Sequence, residues 1–265
     1  MAPELTRYEV HAVRYATLRA TKAELFYRHG AYGEPDEPVE MAYWFWLLRA
    51  GGETIVVDTG FDPAVGERRG RTCDMPPLVA MGELGVDPAT VSTVVVTHLH
   101  YDHIGNLSAF PEATLIVPRR ELEFWTGPMA ERFQFGSHVE PGEIAYVERA
   151  AADGRVRLTE GTEEILDGVT AIAVGGHSPG QQLTVVRGEG GDVLLASDAV
   201  HFYEELEHER PFAVMHDLEQ MYAAYDVLKG FAWAGAVVVP GHDPDVGNRF
   251  PRSAEAGAAT AVRIG

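Results

Sequence analysis

Four short apolar runs in this chain each end in a histidine or an aspartate, and this recurrence constrains the fold more than any other feature. The run "VSTVVVT" leads into "HLHYDH", which contains His98, His100, Asp102 and His103. Three later runs end in the same way, because "TAIAV" leads into "GGHSPGQ", "DVLLA" into "SDA" and "AVVV" into "PGHD". Runs of this length and composition predict buried strands, so each polar side chain is expected at the C-terminal edge of a strand.

Three imidazoles and a carboxylate in the segment 98–103 predict a metal site. Imidazole nitrogens and carboxylate oxygens are the usual ligands of zinc and similar divalent ions. Where the strand stops and the chain curls, His98 and His100 can serve one ion, and Asp102 and His103 a second. Two ions roughly 3.5–4 Å apart form the usual two-metal hydrolytic site. One local motif cannot complete both coordination shells, and the candidates for the remaining ligands are His177, Asp198 and His242.

The rest of the pattern predicts one α/β domain over residues 1–265, built from layered sheets and helices. Glycines 51 and 52 join two predicted strands, Tyr43 to Arg49 and Thr54 to Val57, as a hairpin. Further strands are predicted in "ATLIVP", "RVRLT", "TEEILDG" and "QLTVVRG", and helices in "PPLVAMGE", "RRELEFW", "EIAYVERAAA" and "DLEQMYAAYDVLKGFA". Residues 126–145 lack periodicity and are predicted to form a loop or lid.

Composition excludes several classes of function. The formal net charge of −19 repels phosphate backbones and anionic membrane surfaces, so neither a nucleic acid nor a membrane is an expected partner. Cys73 is the only cysteine, which excludes an intrachain disulfide and a thiolate-rich metal site, and it is expected to be an incidental loop thiol. The N-terminal residues lack the pattern of a secretory signal, so a cytoplasmic location is expected.

The motifs "HLHYDH", "GGHSPGQ", "SDA" and "PGHD" resemble, in order and spacing, those of the metallo-β-lactamase fold superfamily. The upstream segment "VVDTG", with Asp58, matches as well, and the resemblance is strongest to the N-acyl homoserine lactonase group of dinuclear zinc lactonases. It implies a four-layer αββα sandwich. It also implies that His98, His100 and His177 bind one metal, that Asp102, His103 and His242 bind a second, and that Asp198 bridges both. Asp58 would hydrogen-bond to a ligand imidazole and orient it.

The expected reaction is opening of a lactone ring by a hydroxide held between two zinc ions, although iron, manganese or cobalt would also suit these ligands. Asp102 would pass a proton to the leaving oxygen. The lactonase group usually has a tyrosine three residues after the bridging aspartate, where this chain has His201, whose N–H could donate the same hydrogen bond to the substrate carbonyl. Tyr101 is expected at the substrate mouth. Met129, Phe133 and Phe135 are expected either to line an acyl or aromatic pocket or to pack within the lid.

Several alternatives stay open at this point. The same chemistry suits other esters, thioesters and cyclic amides, including a pyridoxolactonase-like reaction, and an iron-dependent sulfur dioxygenase shares the fold. A ribonuclease Z-type nuclease is disfavoured by the net charge, and a non-catalytic module by the complete ligand set. The acidic loop at residues 31–38 could shield the site or meet a second copy in a homodimer. No role is expected for the basic cluster "ERRGR" (residues 67–71) or for the remaining histidines, which are His11, His29, His138, His208 and His216.

Overall fold

Two β-sheets lie face to face in this protein, whose computed structural model describes residues 5–254 and 260–265. The described strands are β1 (Glu9–Thr21), β2 (Pro38–Ala50), β3 (Glu53–Val57), β4 (Thr72–Cys73), β5 (Thr93–Val95), β6 (Thr114–Pro118), β7 (Val156–Thr159), β8 (Thr162–Leu166), β9 (Val169–Ala173), β10 (Gln182–Gly188), β11 (Gly191–Ser197), β12 (Val237–Pro240) and β13 (Ala261–Arg263). Within the described residues, the first sheet has the strand order β13-β1-β2-β3-β5-β6-β7, with β4 beside β1, and the second has the order β12-β11-β10-β9-β8.

Helices cover the outer faces of both sheets. They are α1 (Lys22–Leu25), α2 (Pro63–Arg68), α3 (Pro77–Glu83), α4 (Tyr101–Ile104), α5 (Arg119–Trp125), α6 (Phe133–Gly136), α7 (Pro141–Ala152), α8 (Tyr203–His208), α9 (Leu218–Trp233) and α10 (Val246–Arg249), with 3₁₀ turns at His29–Tyr32, Pro88–Thr90 and Leu107–Ala109. None of the described helices combines the length and the apolar character needed to cross a membrane.

Strand β2 shows why the layers form, because it is apolar on both faces. Trp44, Trp46 and Leu48 point towards the second sheet and join the cluster between the sheets. Alternate residues, including Phe45 and Leu47, point the other way into the cluster shared with the helices. A strand buried on both faces has a continuous apolar sequence rather than an alternating one, which explains the run "MAYWFWLL".

Helix α9 closes the outer face of the second sheet. Its apolar side, with Met221, Ala224 and Leu228, packs on Leu183 and Leu194 of that sheet. The side chain of the N-cap residue Asp217 accepts a hydrogen bond from the Gln220 N–H at 2.9 Å, as the sequence predicts. The order of layers is therefore helix, sheet, sheet, helix, and the predicted αββα sandwich is confirmed.

The structure differs from the sequence-based expectations in three segments. No element is predicted before Tyr43, yet β1 runs for 13 residues and pairs along β2. Cys73, expected in a loop, belongs to β4 and pairs with Ala16. Part of the expected loop at 126–145 is helical, because it contains α6 and the beginning of α7.

Candidate metal centre and active site

Four loops that follow strands β5, β9, β11 and β12 bring the seven predicted ligands together. Helix α4 begins directly after His100 and carries Asp102 and His103 on its single turn. The other three ligands are His177, Asp198 and His242, and all seven side chains are buried. Gly241 permits the close approach of two of these loops, since a Cβ atom there would lie 2.8 Å from Asp198 Oδ1.

The donor atoms form two groups. One donor atom each from His98, His100 and His177 lies within 4.8 Å of the other two, and the same holds for Asp102, His103 and His242. These are the two groups that the family resemblance implies for two metals. Two overlapping groups that include Asp198 meet the same distance limit, one with His98 and His103 and one with His177 and His201. The structure thus places every predicted ligand in one centre.

Asp198 lies between the two groups. Its Oδ2 atom is 3.3 Å from His177 Nε2, whereas its Oδ1 atom is 3.3 Å from His103 Nε2 and 3.1 Å from His242 Nε2. The Oδ2 atom is also 3.2 Å from His242 Nε2, so the Asp198 carboxylate contacts donors of both groups, as a bridging ligand would.

The hydrogen bonds behind the imidazoles fix which ring nitrogen faces the centre. His177 Nδ1 donates to the Val214 carbonyl oxygen at 3.0 Å, and His242 Nδ1 donates to the Ala42 carbonyl oxygen at 2.8 Å. A carbonyl oxygen only accepts, so these rings carry their proton on Nδ1 and present the Nε2 lone pair to the centre. The Nε2 atoms of His98 and His103 are buried and have no hydrogen-bond partner among the described residues. Buried lone pairs converging in this way fit divalent cations such as zinc.

Asp58 contacts the His103 ring from behind. Its Oδ2 atom accepts a hydrogen bond from His103 Nδ1 at 2.8 Å, and its Oδ1 atom accepts one from the Thr97 N–H at 2.9 Å. This is the contact expected of a residue that orients a metal-bound imidazole. Asp58 has a φ of 59° and Ser197, next to Asp198, a φ of 47°, so strained backbone conformations occur beside the ligands on both sheets.

The charge states of the donors follow from their burial. Burial lowers the pKa of His98, His100 and His177 well below the ordinary value, so these rings are neutral and their lone pairs are available. Burial would also raise the pKa of Asp198, but the surrounding imidazoles outweigh it and hold that pKa well below its usual range. Burial would also lower the pKa of His103, but Asp198, Asp58 and Asp102 outweigh it and raise that pKa well above its ordinary value. The centre therefore combines neutral imidazoles at His98, His100 and His177 with an ionised Asp198 and with a His103 ring whose second proton a cation would displace.

Glu121, on α5, holds two of the ligand loops together. One carboxylate oxygen accepts hydrogen bonds from the Leu99 N–H at 2.9 Å and from Trp125 Nε1 at 2.8 Å. The other accepts one from the Gly180 N–H. Leu99 lies between two ligands of the first sheet, and Gly180 follows His177 in the second, so Glu121 joins the sheets at the centre. No motif in the sequence indicates this role.

A cavity of about 350 Å³ opens onto the centre. The ligands His100, Asp102, His177 and Asp198 form its floor. Its walls include Tyr43, Arg71, Tyr101, His138 and Phe212. Tyr101 is thus placed at the mouth above the ligands, where the sequence predicts it.

A second cavity of about 300 Å³ lies on the other side of His100 and His138. Phe135 lines it together with Trp125 and Met215. Met129 and Phe133 do not line either cavity, and their exposed fractions are 49% and 82%. The expectation that these two side chains form the substrate pocket is therefore corrected: helix α6 turns Phe135 inward and Phe133 outward.

His201 is also placed differently from its prediction. The ring is fully buried and stacks on Phe212, with the ring centres 3.7 Å apart. Its Nε2 atom is 3.2 Å from Asp198 Oδ2 and its Nδ1 atom is 3.2 Å from Glu205 Oε1. Burial would lower the pKa of His201, but these two carboxylates raise it to about 9. His201 does not line the cavity that opens onto the centre, because the chain turns inward after Asp198 and places the ring between that ligand, Glu205 and Phe212. A hydrogen bond from this ring to a substrate carbonyl stays a prediction.

Two residues at the site were expected to have no role. His138 lines both cavities, with its ring centre 5.3 Å from that of His100. Arg71, from the basic cluster expected to be a solvated turn, donates from Nε to the Tyr43 hydroxyl at 3.0 Å and to the Tyr101 hydroxyl at 2.9 Å. Of the other histidines, His11 and His29 are buried and His216 lines the second cavity. His138, Arg71 and His216 have no local motif, because packing between distant segments brings them to the site.

The fold and the donor set define a class, the two-sheet α/β proteins with a metal centre of histidines and aspartates at the strand ends. Residues 40–247 match the family model described as the metallo-beta-lactamase superfamily. The chain belongs to this superfamily, as its motifs predict.

Known relatives and solved structures agree with this assignment. The chain is similar to the N-acyl homoserine lactonase AttM of Azorhizobium caulinodans, with 33% identity over 64% of this chain and 65% of that protein. It is also similar to AttM of Rhizobium radiobacter, with 27% identity over 95% of this chain and 99% of that protein. A solved N-acyl homoserine lactone hydrolase, with N-hexanoyl-L-homoserine bound at its catalytic metal centre, superposes with a TM-score of 0.73. That structure is 22% identical, and the match covers 94% of this chain and 98% of that one.

Proposed function

We propose that this chain is a dinuclear zinc-dependent hydrolase that opens the ring of a lactone, such as an N-acyl homoserine lactone or a similar cyclic ester. The observation that carries the proposal is the position of Asp198, whose carboxylate lies between two groups of buried donors and contacts both. A carboxylate in that position serves two ions better than one. The lactonase names of the similar proteins support a lactone as the substrate.

Two zinc ions, when bound, supply hydroxide at neutral pH and positive charge that polarises a carbonyl group. The chain's own residues prepare the centre for this chemistry. Asp58 keeps a proton on His103 Nδ1, so that the Nε2 lone pair faces the centre. Asp102 lies at the floor of the cavity, where its carboxyl group can carry a proton to the leaving alkoxide.

The neutral donors nearest the reacting carbonyl are phenols, since His201 is withdrawn from the cavity. Burial raises the pKa of Tyr43 to about 12 and, together with the charge of Asp102, raises that of Tyr101 well above its ordinary value. Both hydroxyls therefore stay protonated at neutral pH. Both line the cavity and are held by Arg71, so an O–H donor is available beside the substrate.

Chelation and metal return test this function. The purified protein is assayed on N-hexanoyl homoserine lactone, a thioester and a cyclic amide, before chelation, after chelation and after zinc is restored. Lactone opening that disappears on chelation and returns with zinc supports the proposal, whereas full activity after chelation rejects it. Metal analysis separates the iron alternative, because about two zinc ions per chain are expected here, while one iron with oxygen uptake would indicate a dioxygenase.

A further inference from the structure

Two arginines line the cavity above the ligand centre, and neither belongs to the proposed metal chemistry. They are Arg71, in the segment that enters β4, and Arg19, near the end of β1. Strands β4 and β1 pair with Thr72 opposite Thr17, so the chain at Arg71 runs beside Leu18 and Arg19. Arg71 and Arg19 therefore come from adjacent parts of neighbouring strands, and both line the same cavity.

The Arg71 guanidinium is held in place by the phenols of the wall. Its Nε atom donates to the Tyr43 and Tyr101 hydroxyls, and its Nη1 atom donates to the Arg69 carbonyl oxygen. No described residue accepts a hydrogen bond from Nη2. A planar guanidinium fixed through Nε presents its remaining N–H groups as a ready-made donor edge.

Neither arginine is neutralised by an acidic side chain in the described part of the chain. The neighbouring Arg69 pairs with Glu140 at 2.8 Å, but Arg71 and Arg19 form no ion pair with a described carboxylate. Three carboxylates share the cavity. Asp102 is close enough for its charge to raise the pKa of Arg71, but it forms no ion pair with it among the described contacts, and the other two are engaged elsewhere. Asp198 faces the histidines, and Glu24 accepts a hydrogen bond from the Thr21 N–H at 2.8 Å. Two unpaired cations at one cavity are notable in a chain with 40 acidic and 21 basic residues.

We propose that Arg71 and Arg19 form a subsite for a carboxylate on the substrate, so that the protein opens lactones carrying a negative charge beside the ring. This inference rests on the lactone hydrolysis proposed above and adds the class of substrate. A carboxylate accepts the two-donor edge of a guanidinium with matched geometry. Arg71 and the ligands on the floor line one cavity, so a small molecule whose carboxylate binds Arg71 lies in the space that opens onto the centre.

A matched pair of lactones tests the subsite on the zinc-loaded protein. The two compounds are 5-oxotetrahydrofuran-2-carboxylate and the uncharged 5-oxotetrahydrofuran-2-carboxamide, which has nearly the same shape. We expect kcat/KM to be about tenfold higher for the carboxylate, mainly through KM, because a charge-assisted pair contributes about that factor. Arg71→Gln and Arg19→Gln each reduce this preference several-fold. Arg252→Gln, an exposed site outside the cavity wall, removes the same charge and leaves the preference unchanged.

Two results overturn the subsite: equal kcat/KM for the two lactones in the unsubstituted protein, or a preference that survives both cavity substitutions. Arg19 is exposed, so its variant reports on the subsite even if Arg71→Gln disturbs folding. Failure of the proposed function gives a different result, in which neither compound nor N-hexanoyl homoserine lactone is opened. In that case, calorimetry measures the binding of the same two compounds and tests the subsite without turnover. Tighter binding of the carboxylate that is lost in Arg71→Gln supports it, and equal binding rejects it.

Discussion

The Nδ1 atom of His103 lies 2.8 Å from the Oδ2 atom of Asp58, and both side chains are buried. The carboxylate can only accept in this contact, so it determines on which nitrogen the ring carries its proton. The other ring nitrogen, Nε2, faces Asp198 and Asp102, where it would bind a cation. One residue outside the ligand set thus decides whether one ligand can bind a cation.

Asp58→Asn tests this relationship. The amide nitrogen can donate to His103 Nδ1 and favour the proton on Nε2, so we expect zinc affinity to fall about 10- to 100-fold. Competition with a chromophoric chelator measures it. Asp192→Asn, an exposed change of the same chemistry, serves as the control. Unchanged zinc affinity in the Asp58 variant would remove the residue from the centre.

Glu121→Gln should loosen the two ligand loops that this carboxylate joins. One oxygen becomes an NH₂ group facing a backbone or indole N–H, so a buried donor loses its acceptor. We expect the free energy of unfolding to fall by about 2 kcal/mol, measured in urea. Glu123→Gln lies on the same helix but is exposed, and it should change that free energy by less than about 0.5 kcal/mol. An equal fall in the free energy of unfolding for the two variants would show that Glu121 does not hold the two ligand loops together.

His201→Ala should act on stability rather than on substrate binding. The substitution leaves a space between Phe212 and Asp198 and removes the imidazole that lies 3.2 Å from the buried Glu205, so the free energy of unfolding should fall by about 2–4 kcal/mol. His208→Ala, at an exposed position of α8, is the control. If the His201 variant kept its stability and showed a raised KM, the result would instead indicate that His201 contacts the substrate directly.

Glu143 gives a pH dependence away from the ligands. Burial, reinforced by Glu140, raises the pKa of Glu143 from 4.5 to about 8. Between these values the folded protein holds a proton that the unfolded chain has released, so this residue's contribution to stability falls as pH rises through that window.

Glu143→Gln removes the titrating carboxyl group and, with it, the loss of stability at high pH. The variant should be more stable than the unsubstituted protein at pH 8.5 by about 1–2 kcal/mol, after allowance for partial exposure, and about equal to it at pH 5. Thermal unfolding of zinc-saturated protein at both pH values measures the difference. Glu148→Gln, exposed on the same helix, should show no such pH dependence.

Phe133→Ala and Phe135→Ala separate the outer face of α6 from its inner face. Phe133 is 82% exposed, so its removal should leave kcat/KM for a lactone within about twofold. Phe135 lines the second cavity beside His177, and its removal should lower kcat/KM about tenfold by opening that wall. A larger loss of kcat/KM in Phe133→Ala than in Phe135→Ala would instead place Phe133 at the substrate site.

The sequence predicts the ligands well because each follows a strand whose apolar pattern is local. His98 after β5 and His242 after β12 are examples in which pattern and motif coincide. Strand β1 lacks this local signal, because arginines and threonines alternate irregularly with its apolar residues. Its register also shifts between Arg14 and Ala16. Only pairing with β2 makes it a strand.

Residues whose roles depend on packing between distant loops could not be predicted from the sequence. Arg71 reaches the cavity because β4 pairs with β1, and His138 does so because α6 packs beside His100. The direction of His201 depends on the turn after Asp198, which brings the Gly241 N–H to the Val200 carbonyl oxygen at 3.0 Å. Spacing from a motif fixes a position along the chain but not the direction of its side chain.

The division of the ligands between two sheets also determines when the centre can form during synthesis. The loop after β5 emerges from the ribosome with four donors, but Asp198 and His242 follow only after the strands of the second sheet. A cation captured earlier would meet half of its coordination sphere. In the two-metal function proposed above, a nascent fragment that stops before residue 242 would lack His242 and could not complete the second group of ligands.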